Sequence, residues 1–108
     1  MPDRAALLLA LLCLAAPAIA GEDAVGPADA RRLEHLVLQD CGSCHGLTRK
    51  GGLGSPLTPE ALAGQDRDLI ATVILDGVPN TAMPPWRPLM TEAEAYWIAD
   101  YLLKDVKK

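Results

Sequence analysis

Five consecutive residues, Cys41-Gly42-Ser43-Cys44-His45, constrain this chain more than anything in its composition. The pattern C-x-x-C-H is the attachment signature of a c-type haem. Two thiols at that spacing add across the two vinyl groups of the porphyrin edge, and the following imidazole supplies a nitrogen to the iron. A C-x-x-C pair can also hold zinc or cycle as a redox dithiol. Zinc needs further ligands at sensible spacing, and outside the pentad the chain offers only Cys13, in an apolar leader, and His35. A thioredoxin-like dithiol needs a strand before it within an α/β chain, and no alternating strand pattern precedes the pentad. The pentad therefore predicts one covalent haem c on Cys41 and Cys44, with His45 as the proximal ligand.

The start of the chain agrees with that chemistry. Arg4 precedes an apolar run from Ala5 to Ala16, and Pro17-Ala18-Ile19-Ala20 follows with small residues at the cleavage positions. This predicts a cleaved secretory signal peptide over residues 1–20, with Gly21 as the mature N-terminus. The run falls short of the roughly 20 apolar residues that span a bilayer, so no stable membrane insertion is expected. Cys13 follows Leu12, where a lipid-attachment site would want a small residue, so it is expected to leave with the leader. Export into the periplasm is where bacterial haem c is attached.

Removing residues 1–20 leaves one small domain, residues 21–108, in which only a limited core can form. Cys41 and Cys44 are too close in sequence to close a stabilising disulfide loop. The chain has no Phe, and its aromatic residues are Trp86, Tyr96, Trp97 and Tyr101. A core so short of rings is consistent with a macrocycle as its large flat body. The net charge of −4 argues against a nucleic-acid partner.

The remaining sequence reads as short helices joined by Gly/Pro loops, an all-α pattern. Gly26-Pro27 opens a helix over 28–39, with Ala30, Leu33, Leu36 and Val37 as an apolar stripe leading into the pentad. Thr58-Pro59-Glu60 starts a single turn. Asp66 caps a helix that runs through Leu75, with Leu69, Ile70, Val73 and Ile74 as its expected apolar face and Gly77 as its stop. Thr91-Glu92-Ala93-Glu94 is a capping box, and a helix follows to about Lys104. Between these last two helices lies Thr81-Ala82-Met83-Pro84-Pro85-Trp86. A thioether held between prolines is a soft ligand for iron opposite a histidine, so Met83 is the expected distal ligand. Met90 competes, but it directly precedes the Thr91 cap, where an apolar residue packs as a hydrophobic staple. His35 is expected to be a solvated or half-buried helix residue.

In the order of these parts the chain resembles the class I cytochromes c across nearly all of residues 21–108, and more narrowly the small monohaem cytochrome c55X group. The matching stretches are Cys41 to Thr48, Gly51 to Gly54, Leu57 to Leu62 and Thr81 to Trp86. The resemblance implies a class I cytochrome c domain over 21–108, with about four short helices around one haem. It also implies thioether bonds at Cys41 and Cys44 and axial ligation by His45 and Met83. In such proteins a carbonyl in the loop after the pentad, usually that of a proline, accepts the His N–H; here either Pro56 or Ser55 would provide it. A glycine often stands eight residues before the first haem Cys. Leu33 occupies that place here, so a wider or shifted helix crossing is expected, with Ile98, Tyr101 and Leu102 on the opposing side.

Two axial protein ligands leave no open position on the iron, which points to outer-sphere electron transfer and away from catalysis. The resemblance implies a periplasmic carrier in nitrite reduction, expected to be monomeric, with cd1 nitrite reductase as the candidate redox partner. The alternative is an accessory protein that assists maturation of that reductase or of its special haem. Arg49, Lys50 and Arg87 flank the two ligand loops and are candidates to rim the haem edge.

Overall fold

The computed structural model describes residues 25–104. The predicted signal peptide, with Cys13 and the cleavage position, lies outside the described residues. Within them the chain is helical and has no strand, and no helix is long and apolar enough to cross a membrane.

Helix α1 spans Pro27–Leu36, with Gly26 in the extended cap position and Pro27 in the first turn. It continues without a break through a π-helical turn, Val37–Cys41, into α2, Gly42–His45. The predicted helix does run straight into the pentad, but a wider turn intervenes. Such π turns insert a residue and so rotate the next stretch of helix, and they concentrate at functional sites. Helix α3, Arg67–Asp76, begins where Asp66 accepts the Asp68 N–H at 3.2 Å and stops at Gly77. A short 3₁₀ turn, Arg87–Leu89, leads to α4, Glu92–Leu103. The Thr91 capping box is formed in both directions: the Thr91 hydroxyl accepts the Glu94 N–H at 3.1 Å, and the Glu94 carboxylate accepts the Thr91 N–H at 2.9 Å.

Helix α4 is the spine of the core. Its Ala95, Ile98, Ala99 and Leu102 are buried, facing Leu33 and Val37 from the first helix and Ile70, Ala71, Ile74 and Leu75 from α3. Leu33 is fully buried, so a leucine fills the place where a glycine was the family expectation. The small residues are on the other partner: Ala95 and Ala99, four apart on one face of α4, let neighbouring helices approach. Tyr101 is half-buried and packs against the edge of this cluster.

One expectation fails on α3. Leu69 is 54% exposed, and the core face is Ile70, Ala71, Ile74 and Leu75. The error is one of rotation: a nearly continuous apolar run fits two adjacent helix faces equally well, and α4 selects one of them. Leu69 and Val73, four residues apart, share the other face.

Exposed ion pairs tie the elements together. Arg32 bonds Glu94 between α1 and α4. Arg67 grips Asp100 between α3 and α4 at 2.7 and 2.8 Å, and Arg87 grips Asp76 at 2.8 and 3.0 Å. Salt screens such pairs, and they set register more than they stabilise.

Candidate haem site

Cys41 closes the π turn and Cys44 stands three residues later, so both thiols lie on one side of the same helical end. Both are free and half-buried. Burial pushes the Cys41 thiol up to about 11, with Asp40 adding to the effect. A dithiol redox centre or thiolate metal site needs the opposite shift, toward easy ionisation. Ser43 between them bonds its own turn, its hydroxyl donating to the Asp40 carbonyl at 2.8 Å.

His45 is held from below by the loop after the pentad. Its Nδ1 lies 2.6 Å from the Ser55 carbonyl oxygen. A carbonyl only accepts, so Nδ1 carries the proton and Nε2 keeps its lone pair for a metal. Of the two candidate carbonyls, Ser55 and not Pro56 makes the bond. Pro56 acts one step removed, since a residue before proline is restricted to extended backbone, and this limits where the Ser55 carbonyl can point. The loop reaches the ring because Gly54 is there. A Cβ at position 54 would stand 2.6 Å from His45 Cε1 and 2.7 Å from Nδ1, inside van der Waals contact. The Gly54 N–H donates to the Cys44 carbonyl at 2.7 Å, and the Gly51 N–H to the His45 carbonyl at 2.9 Å.

Met83 has a separate support, the C-terminal end of α3. Its carbonyl accepts the Val78 N–H at 3.2 Å, its own N–H donates to Thr81 Oγ1 at 3.3 Å, and Trp86 N–H donates to the Ile74 carbonyl at 3.0 Å. Gly77, at φ 65°, takes a left-handed turn, and a Cβ there would lie 2.6 Å from the Met83 carbonyl oxygen. The loop is thus pinned on both sides of the sulfur-bearing residue. Met83 is half-buried, whereas Met90 is 7% exposed and belongs to the core. His35 is exposed on α1.

The residues present fit a haem. Two adjacent thiols, an imidazole with a free Nε2 and a thioether in a pinned loop form a donor set that suits iron in a porphyrin. Apolar side chains near these elements are open to a large flat group: Leu53 is 82% exposed, Leu69 54% and Val78 40%. Sequence reasoning missed Gly77's close approach to the Met loop, the choice of Ser55 over Pro56, and the packing of Arg49, whose guanidinium lies 5.5 Å from the centre of the Tyr101 ring. Arg87, expected to rim the haem edge, spends its charge on Asp76 and Glu92.

Comparison with known proteins agrees with this geometry. The family model described as cytochrome C oxidase, cbb3-type, subunit III matches residues 28–102. Cytochrome c55X of Paracoccus denitrificans (strain Pd 1222) is 61% identical over 104 residues, covering 94% of each chain. Cytochrome c55X of Pseudomonas aeruginosa is 54% identical over 79 residues, 70% of this chain and 66% of that one. Among solved structures, the c-type cytochrome NirC superposes with a TM-score of 0.72 at 48% identity, covering 73% of this chain and 93% of that one. Dihydro-heme d1 dehydrogenase NirN in complex with DHE superposes with a TM-score of 0.62 at 37% identity. That match covers 66% of this chain but 15% of the larger protein.

Proposed function

The chain belongs to the cytochrome c55X family of c-type cytochromes, and from that premise we propose that Cys41 and Cys44 carry its haem c while His45 and Met83 are the axial ligands. When bound, the haem supplies a one-electron Fe(II)/Fe(III) couple, and the protein is an electron carrier, not an enzyme. The observation that carries the ligand assignment is the His45–Ser55 hydrogen bond, which leaves Nε2 as the free nitrogen. The bond fixes the ring plane and makes the imidazole a stronger donor. Met83, held by Val78, Thr81 and the end of α3, keeps its sulfur in place through a change of charge. A haem held by both His45 and Met83 would offer no open position to a small substrate.

We place the mature chain, residues 21–108, in the periplasm after loss of a signal peptide, and its partner is cd1 nitrite reductase in nitrite reduction. The second reading, help in maturing that reductase or its haem, draws on one observation: part of a dihydro-haem d1 dehydrogenase is built like this chain. A dehydrogenase releases electrons that need an acceptor, and a small carrier suits that need as well as it suits donation.

The test is periplasmic expression with haem-attachment machinery, then intact mass, optical spectra and electron exchange with cd1 nitrite reductase. A mass equal to residues 21–108 plus one haem, with rapid electron delivery to the reductase, is expected. The mass of the bare polypeptide would sink the attachment sites. A haem protein that passes no electrons to the reductase, yet whose loss blocks formation of active enzyme, would establish the maturation role instead.

A further inference from the structure

We propose that Arg49 is a positioning residue, which, through its stack on Tyr101, fastens the loop whose Ser55 carbonyl orients His45. The inference rests on His45 being the iron ligand, and it extends that assignment to the C-terminal helix.

Arg49 is set at a junction. Its N–H donates to the Gly46 carbonyl at 2.9 Å, and its carbonyl accepts the Leu57 N–H at 2.8 Å. These two bonds gather the loop at both ends, and Ser55 lies between them, two residues before Leu57. The side chain then leaves the loop. The guanidinium sits 5.5 Å from the Tyr101 ring centre, within the range in which a cation is held by an aromatic face. Tyr101 is itself stacked on Trp97, with centroids 5.1 Å apart and planes 11° from parallel. The cation therefore rests on a rigid aromatic pair on α4, the helix that forms the spine of the core.

Two further observations separate Arg49 from an ordinary surface charge. Its φ is 60°, a left-handed conformation that costs a side-chain-bearing residue energy and that glycine adopts freely. The surrounding loop already uses glycine at 46, 51, 52 and 54, so arginine at 49 stands where the backbone alone would favour glycine. It also differs from Arg32, Arg67 and Arg87. Each of those meets a carboxylate, whereas the contact found for the Arg49 head group is the Tyr101 ring. With the stack broken, the loop would hinge on its glycines, and the Nδ1–H···O bond at its far side would loosen. A looser bond makes the imidazole a weaker donor, which disfavours the ferric state and raises the reduction potential.

The experiment uses haem-loaded wild type, Arg49→Gln, Arg49→Gly, Arg49→Lys and Tyr101→Leu. It reads the exchange rate of the His45 Nδ1 proton by NMR and the potential by redox titration. Arg49→Gln, Arg49→Gly and Tyr101→Leu should each speed proton exchange at least tenfold and raise the potential. Arg49→Lys should keep most of the wild-type behaviour, because a cation remains over the ring. Arg49→Gly is the decisive variant: it suits the left-handed backbone and should fold, yet still lose the positioning. If Arg49→Gly and Arg49→Gln both retain wild-type exchange and potential, Arg49 has no such role, whatever happens to thermal stability. Should Tyr101→Leu yield no haem protein, Arg49→Gly and Arg49→Gln decide alone. A wild-type spectrum without a histidine-ligated iron would instead overturn the ligand assignment, so the two failures are distinct.

Discussion

His45 and Met83, the two proposed ligands, are held in place by different means. His45 is fixed by hydrogen bonding and by a missing side chain at Gly54; Met83 is fixed by backbone bonds from Val78, Thr81 and Trp86 around it. The two methionines give the sharpest test of that reading. Met83→Ala should abolish the weak near-infrared band of thioether-to-ferric-iron charge transfer and lower the potential, since the soft ligand that favours Fe(II) is gone. Met90→Leu should keep the band and cost less than about 1.5 kcal/mol, as a volume-conserving core exchange. Met90→Ala should keep the band as well but cost about 2–5 kcal/mol in denaturant unfolding. Loss of the band in a Met90 variant would reassign the ligand. Both proposed ligands are drawn from short motifs, because the chemistry that suggests them is local. The carbonyl that holds His45 was narrowed only to Ser55 or Pro56: a glycine-rich loop separates both from His45, and which carbonyl arrives depends on the path of that loop. Gly54 shows the same limit, since nothing in the sequence says that a ring will lie against it.

The helices were legible where caps and turns mark them and less so where only apolar pattern does. Asp66, Thr91 and Gly77 bound their helices as their chemistry dictates. The π turn at Val37–Cys41 has no such local marker in the sequence. The face of α3 was misjudged by including Leu69, for neighbouring faces there are both apolar. Glu94 joins the element scale to the fold. One oxygen closes the Thr91 cap and the other meets Arg32 across to α1. Partial burial pushes its carboxyl up, but the Thr91 N–H and the Arg32 guanidinium outweigh this and hold it below its ordinary value of 4.5. A depressed folded-state pKa means stability present above the unfolded value and lost as pH falls through the folded one. Glu94→Gln can keep the bond to the Thr91 N–H but loses the charge that meets Arg32, so it should cost up to about 1 kcal/mol at pH 7, the upper end for an ion pair of this kind, and lower Tm by at most roughly 4–8 °C. Thermal melts across pH should show that gap beginning to close as pH falls below the ordinary 4.5 and vanishing once pH has passed through the lowered folded-state value, where the wild-type carboxyl is uncharged like the amide. A gap as wide at pH 3 as at pH 7 would mean that the charge is not its source.

Considered whole, the molecule uses most of its arginines on itself. Arg32, Arg67 and Arg87 each join one element to another, so the positive charge they carry is neutralised where it stands. Arg49 lies against Tyr101. Of the cations beside the two ligand loops, Lys50 is the exposed one that no carboxylate meets among the described residues, in a chain whose net charge is −4. Sequence alone grouped Arg49, Lys50 and Arg87 as equals, because pairing of side chains distant in sequence is set by how α3 and α4 pack. The structure makes them unequal, and kinetics should show it. Lys50→Glu should slow association with the redox partner several-fold at low ionic strength. The difference should fade above about 0.1 M salt, where screening acts within about 10 Å. Arg87→Glu should behave otherwise. It places a third carboxylate beside Asp76 and Glu92, so its main effect should be a lowered Tm, with a salt dependence of association close to that of wild type. Stopped-flow rates for both variants across ionic strength separate the two. If Arg87→Glu alters the salt dependence more than Lys50→Glu does, docking runs through the Met83 side of the molecule, and Asp76 is a latch that opens when the partner arrives.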